Sequence, residues 1–279
     1  RPTDFVEISN VEFERLRDFV YHKIGINLTP EKRNLLMSRL QKVLRRMKIK
    51  SFSEYYDFVV SDSSGEALSE LANVISTNHT FFGREADHFE YFQKVVLPEI
   101  EAAALKRNSK NIRVWCAGCS SGEEPYTLVM LMMEYFGKEY DKWSAGVLAT
   151  DISLNALGKA AAGIYPDERV RPLDDKLKKK YFKPQMASGE WEVIDRLKKE
   201  VTYRRFNLMN DFFPFKDVFD VIFCRNVMIY FDNPTREALV NKFYQFTADG
   251  GYLFIGHSET VNRDKSEFKY VKPAIYKHA

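Results

Sequence analysis

Cysteine is scarce, with three in 279 residues, too few for a disulfide framework, and this points to a reducing cytoplasm. No run of about 18 apolar residues occurs, so no membrane span is expected. The opening Arg1-Pro-Thr-Asp4 has no apolar targeting segment, and the missing initiator Met reads as a trimmed or processed start. Strong net charge is also lacking: +3 overall argues for no nucleic-acid partner by itself, so any electrostatic argument rests on where the charges sit. What is present is length and apolar content. At 45% hydrophobic residues the chain can bury a substantial core, and its size suggests two domains.

One local absence is informative. Between Asn34 and Lys50 there is no Asp or Glu. After Thr29-Pro30, which is expected to cap a helix, Leu36, Leu40, Val43, Leu44 and Met47 recur on one side while Arg39, Lys42, Arg45 and Arg46 gather on the other. A basic helix face without i,i+4 acidic partners repels itself, which favours an acidic partner: a protein helix, a nucleic acid or an anionic membrane surface. The helix before it carries Phe13, Leu16, Phe19, Val20 and Ile24 between a Ser9-Asn10 start and a Gly25 stop. Two more helical patterns, Phe52 to Val60 and Leu68 to Ile75, complete an almost wholly helical first hundred residues. The polar and aromatic Ser76-Thr-Asn-His-Thr-Phe-Phe-Gly-Arg84 follows, with amide, hydroxyl and guanidinium at Asn78, Thr80 and Arg84.

From Ile112 onward strands and helices alternate, predicting an α/β domain with a mainly parallel sheet. Ile112 to Cys116 runs into the small residues Ala117 to Gly122, and a helix begins at Glu123-Glu124-Pro125-Tyr126. A strand, a tight turn of small residues and a helix start let a ligand approach the backbone and its free N–H groups. Further strands are expected at Gly146 to Ala149, Thr202 to Phe206, Val218 to Phe223 and Gly251 to Ile255, with edge strands in Phe268 to Tyr276. The tips Gly118 to Glu124, Asp151, Asn207, Arg225-Asn226 and His257-Ser258-Glu259 would share one sheet edge, where such folds bind nucleotides and where an acid on the second strand holds a ribose. The stretch 165–205 interrupts the alternation with a charged helix and a hairpin turning at Ala187-Ser-Gly-Glu190.

Trp115-Cys-Ala-Gly-Cys119 has the spacing of a redox dithiol, so a thiol-disulfide oxidoreductase using Cys116 and Cys119 is an alternative reading. The neighbouring acids Glu123 and Glu124 would raise those thiols, and the other strand-tip groups have no work in dithiol exchange. Cys224 is the only other cysteine, so no zinc or other metal site is expected.

Asn78-His-Thr-Phe-Phe-Gly-Arg84, Gly122-Glu-Glu-Pro-Tyr126, Ala149-Thr-Asp-Ile152, Phe223-Cys-Arg-Asn-Val-Met-Ile-Tyr-Phe231 and Gly256-His-Ser-Glu259 together resemble the chemotaxis receptor methyltransferases, the CheR family, in order and spacing along the whole chain. The resemblance implies a Rossmann-like S-adenosylmethionine-dependent methyltransferase sheet, an N-terminal all-helical domain and a small antiparallel β-subdomain. It places a receptor-recognition domain at 1–88, a linker helix at 89–110 and the methyltransferase domain at 111–279, with the β-subdomain inserted at about 165–205. The implied activity is protein-glutamate O-methylation of the cytoplasmic helices of methyl-accepting chemoreceptors, using S-adenosyl-L-methionine and releasing S-adenosyl-L-homocysteine.

The same resemblance assigns cofactor contacts to Asn78, Thr80, Arg84, Gly118, Glu123, Glu124, Asp151, Asn207, Leu208, Arg225 and Asn226. It assigns catalytic roles to Arg84 and Tyr230 and receptor contacts to Arg39, Lys42, Arg45 and Arg46. The hairpin is short for gripping a receptor tail, so direct recognition of the methylation helix is expected. No nucleic-acid partner, no membrane insertion and a monomer are implied. A non-catalytic S-adenosylmethionine-binding sensor or adaptor, and an RNA methyltransferase using the basic helix, are the other readings of the same residues.

Overall fold

A computed structural model of the chain describes residues 5–76 and 79–279. Four helices come first: α1 (Asn10–Ile24), α2 (Arg33–Met47), α3 (Phe52–Ser61) and α4 (Glu66–Ile75). Ser9 starts α1 through a reciprocal capping box with Glu12, and Gly25 ends it at φ 74°, a left-handed conformation that glycine adopts without steric cost. The expected Thr29 cap makes no side-chain cap bond; a 3-10 turn, Pro30–Lys32, leads into α2 instead. Leu36, Leu40, Val43 and Leu44 are buried as their spacing requires.

The sheet has seven strands: β1 (Val114–Ala117), β2 (Val147–Asp151), β6 (Val201–Arg205), β7 (Phe219–Cys224), β8 (Thr247–Ile255), β9 (Lys269–Lys272) and β10 (Ile275–Lys277). A separate three-stranded sheet holds β3 (Ile164–Pro166), β4 (Phe182–Gln185) and β5 (Glu190–Val193). The large sheet runs β6-β2-β1-β7-β8-β10-β9, parallel through β8 and antiparallel at the β10-β9 edge. β8 begins four residues before its expected start because Phe219 pairs with Thr247 across an irregular register. The smaller sheet is the expected hairpin plus β3, which pairs with β5 over a long sequence separation.

Alternation along the strands sends side chains to opposite faces. Trp115, Ala117, Ile222, Cys224, Leu253 and Ile255 share one core with α1 to α4 and with Leu239, Val240 and Phe243 of the helix Asn233–Gln245. Val114, Cys116, Val221, Phe223, Tyr252 and Phe254 share the other core with the helix Glu123–Phe136 and with Phe89, Phe92, Val96, Leu97 and Ile100. The helical stretch that begins at Ala86 is thus packed on the sheet, and the segment before it carries the chain from one core to the other. No helix among the described residues is long and apolar enough to cross a membrane.

Candidate functional site

The turn after β1 starts the site. Gly118 (φ 86°) and Gly122 (φ 96°) both need left-handed backbone. A Cβ on Gly118 would lie 2.4 Å from Val227, and one on Gly122 would lie 2.9 Å from the hydroxyls of Tyr165 and Tyr203. The turn is bolted to the tip of β2: the N–H groups of Gly118 and Cys119 donate to the Thr150 carbonyl at 2.8 and 2.9 Å, and that of Ser120 donates to Asp151 at 2.8 Å. Asp151 also accepts from the Ser153 N–H at 2.8 Å. Burial pushes its carboxyl above the ordinary range, and these amides oppose the rise.

Behind the turn lies a buried ion cluster. Arg225, at the end of β7, donates to Glu124 at 2.8 Å and to Glu85 at 3.0 Å. Its guanidinium also donates to the carbonyl of Arg84 and covers the Phe89 ring at 4.9 Å. Asn226 donates its side-chain amide to Glu85 at 3.1 Å. Glu259 folds back from β8 and accepts the N–H groups of Asn226 (3.0 Å), Ile229 (3.1 Å) and Gly256 (2.5 Å). It therefore holds the short 3-10 turn Met228–Tyr230. Burial raises the Glu259 carboxyl despite these donors.

A pocket opens between the helical layer and this sheet edge. Gly118, Ser120, Glu124, Asp151, Asn207, Leu208, Arg225, Asn226 and Tyr230 line the sheet side; Ile24, Ile26, Ala72, Ser76, Thr80 and Arg84 are among those lining the other. Besides the bond from Arg225 to the Arg84 carbonyl, others join the sides. Asn207 donates to the Lys23 carbonyl at 2.6 Å, and the Asn27 N–H donates to the Tyr230 carbonyl at 2.8 Å. The Arg84 guanidinium donates to the His79 carbonyl at 2.7 Å.

Several expectations change here. Glu123 is fully buried and off the pocket wall, since its carboxylate is taken by Arg169 at 2.7 Å and by Ser121; it is removed from the cofactor contacts. His257-Ser258-Glu259 does not line the pocket, because Glu259 is turned onto the β7 loop and His257 faces Asp87 at 3.1 Å. Arg225 reaches the wall, but its charge is spent on Glu85 and Glu124. Asn78 lies outside the described residues. The basic face is not wholly unpartnered: Arg39 caps the carbonyl end of α4 through Ile75 at 2.6 Å, and Arg46 pairs with Glu70. Lys42 and Arg45 are exposed.

Burial raises both Cys116 and Cys119 well above the usual thiol range, with Glu124 adding to the effect at Cys116. Neither is the accessible thiolate that dithiol exchange requires. Glu85, His88 and His257 bring possible ligand atoms within 4.8 Å of one another, but Glu85 is committed to Arg225. Sequence reasoning missed Glu85, and did not single out Ser120 and His79 on the wall, although both stand within the stretches it placed at the site; the one signal at Glu85 was its position directly after Arg84.

The site fits a nucleoside-bearing cofactor. The left-handed turn presents backbone beside Asp151, and apolar Ile152, Phe206 and Leu208 stand near the tip of the neighbouring strand. Comparison with known proteins agrees. Residues 78–276 match the family described as CheR methyltransferase, SAM binding domain, and residues 11–76 match CheR methyltransferase, all-alpha domain. The chain is 43% identical to the chemotaxis protein methyltransferase of Borreliella burgdorferi, over 98% of this chain and 95% of that one. It is 32% identical to that of Escherichia coli, over 98% and 93%. Among solved structures, magnesium protoporphyrin IX methyltransferase from Synechocystis with bound SAH is 16% identical over 71% of this chain and 68% of that one, with a TM-score of 0.33, too distant to bear on the site.

Proposed function

The chain belongs to the CheR methyltransferase family, and from that premise we propose that it esterifies glutamate side chains on the cytoplasmic helices of chemoreceptors. Methylation in chemotaxis with S-adenosylmethionine is the family's activity; the glutamate acceptor and the receptor are the finer reading. The observation that carries it is the pairing of Arg84 and Tyr230 on the wall of one pocket with Asp151 and the β1 turn. A guanidinium and a phenol suit a carboxylate acceptor.

S-adenosylmethionine, when bound, supplies an electrophilic methyl group on a sulfonium. A glutamate carboxylate has an ordinary pKa of about 4.3 and is already ionised at neutral pH, so no general base is needed. The residues have only to align the acceptor and exclude water. Orienting two reactants contributes roughly 7–11 kcal/mol. Arg84 holds the acceptor carboxylate and Tyr230 steers it by a hydrogen bond. Asp151 takes the ribose hydroxyls, and the apolar wall at Phe206 and Leu208 takes the base. Asn78, Thr80, Gly118, Glu124, Asn207 and Asn226 complete the proposed cofactor contacts, Arg225 acting from behind. The exposed Lys42 and Arg45 meet an acidic receptor helix.

Incubation with a methyl-labelled donor and a receptor cytoplasmic fragment tests this. Base-labile, volatile label that disappears when the fragment's glutamates are changed is the expected result. Tight cofactor binding without ester formation would make the chain a sensor and end the proposal. Arg84→Ala and Tyr230→Phe are expected to lower kcat by about 100-fold and about 10-fold, because each misaligns the acceptor. Wild-type rates in both would remove their roles.

A further inference from the structure

The loop bearing Arg84 is pinned at two points. Upstream, Phe82 is fully buried against Tyr165 (ring centroids 4.9 Å apart) and Phe182 (5.2 Å), and its N–H donates to the Arg169 carbonyl at 3.2 Å. Downstream is Glu85, a non-glycine residue at φ 57°. Left-handed backbone is disfavoured for such a residue, and it persists only where the surroundings over-determine it.

Its surroundings do. One Glu85 oxygen accepts from Arg225 at 3.0 and 3.2 Å; the other accepts from the Asn226 side chain at 3.1 Å and the His257 N–H at 3.3 Å. The same Arg225 grips the Arg84 carbonyl. The Arg225 side chain is 2% exposed, so its charge has little water to fall back on, and among the described residues its only other acid is Glu124. Without Glu85, Arg225 keeps only Glu124 as an acidic partner, and the Asn226 amide and the far side of the guanidinium lose their acceptor. Glu85 is absent from the pocket wall, so whatever it does for the reaction it does through its neighbours.

We propose that Glu85 is a positioning residue: by clasping Arg225 and Asn226 of the β7 loop it sets the backbone of Arg84, and so the guanidinium that aligns the acceptor. The inference rests on the acceptor-holding role of Arg84 given above. It predicts a larger loss of turnover than of cofactor affinity: Glu85 holds Asn226 and Arg225 of the proposed cofactor contacts, but the β1 turn and Asp151 are held by bonds that do not involve it.

The test compares the full chain with Glu85→Gln, which keeps the size and loses the charge. Expected are a kcat on the receptor fragment lower by about 30-fold, because a small misplacement of an aligning group is costly, and S-adenosylhomocysteine affinity by calorimetry within about threefold. Amide exchange should accelerate in 79–91 and stay slow in α1 to α4. Glu85→Asp, which keeps the charge, should recover turnover to within about fivefold of wild type. Wild-type kcat in Glu85→Gln, a loss of cofactor affinity equal to the loss of turnover, or an Asp variant no better than Gln would each overturn the proposal. Should Glu85→Gln fail to fold, Arg225→Lys keeps the charge opposite Glu85 and Glu124 but loses the fork that grips Glu85 and the Arg84 carbonyl together; lower turnover with faster exchange in 79–91 is expected, and wild-type turnover and exchange would overturn the proposal. If wild-type protein esterified no receptor carboxylate, the proposed function would fall, while exchange in 79–91 and cofactor affinity would still judge the clasp.

Discussion

The two walls of the pocket are built differently. On the sheet side each charged group already has a protein partner: Asp151 takes amides of the β1 turn and of Ser153, and Glu124 takes Arg225 and the Cys116 thiol. On the helical side Thr80 and Arg84 sit on a half-exposed loop, held from behind by Phe82 and Glu85. A rigid, prepaired wall suits a ligand that is the same at every turnover. A loop whose side chains reach into the opening suits an acceptor that arrives on another macromolecule, and its alignment then depends on what pins the loop.

Three changes would break or sharpen that contrast. The largest concerns the seam behind the loop. His88 is fully buried, and burial together with the nearby Arg225 charge lowers its pKa to about 4, against the opposing pull of Glu85 and Asp87. The unfolded chain therefore binds a proton before the folded one does as pH falls. The stability tied to neutral His88 is present above about pH 6.5 and is lost towards pH 4, about 3 kcal/mol in all. Urea midpoints at pH 7, 5.5 and 4.5 should fall in the wild type and fall less in His88→Phe. Equal slopes would show that the seam does not titrate through this residue.

Next is the rigid wall. Asp151→Ala should weaken cofactor binding by about 2 kcal/mol, roughly 30-fold, since a buried acceptor is lost and the turn amides lose theirs. Calorimetry with S-adenosylhomocysteine reads this directly; unchanged affinity would remove Asp151 from the ribose. The smallest effect belongs to the exposed basic pair. Lys42→Glu/Arg45→Glu should raise KM for the receptor fragment about fivefold at low salt and less at high salt, with cofactor affinity unchanged. Arg39→Ala should act on thermal stability instead, because Arg39 caps α4. A KM effect of equal size from Arg39→Ala alone, with no stability loss, would erase the distinction.

Much of this was legible in the linear sequence. Helix ends at Ser9 and Gly25, the apolar stripe of α2, and the glycine turn between β1 and its helix are local patterns set by one or two turns of chain. The parallel strands announced themselves by their apolar runs and polar tips, and the motif strings from Asn78 to Glu259 pointed to the family. Less legible were contacts formed between residues far apart in the chain. Glu123 and Glu124 are adjacent in sequence and look alike, yet one is buried on Arg169 and the other reaches the pocket with Arg225. The unpaired look of the α2 face was half wrong, because Arg39 and Arg46 find α4 across the layer.

The sequence by itself determined the elements, their order and the family, because periodicity, caps and turn residues act over a few positions. Only the tertiary structure decided which charges remain available. A side chain's charge is spent or free according to what packs beside it, and for Glu85 and Arg225 that partner lies 140 residues away.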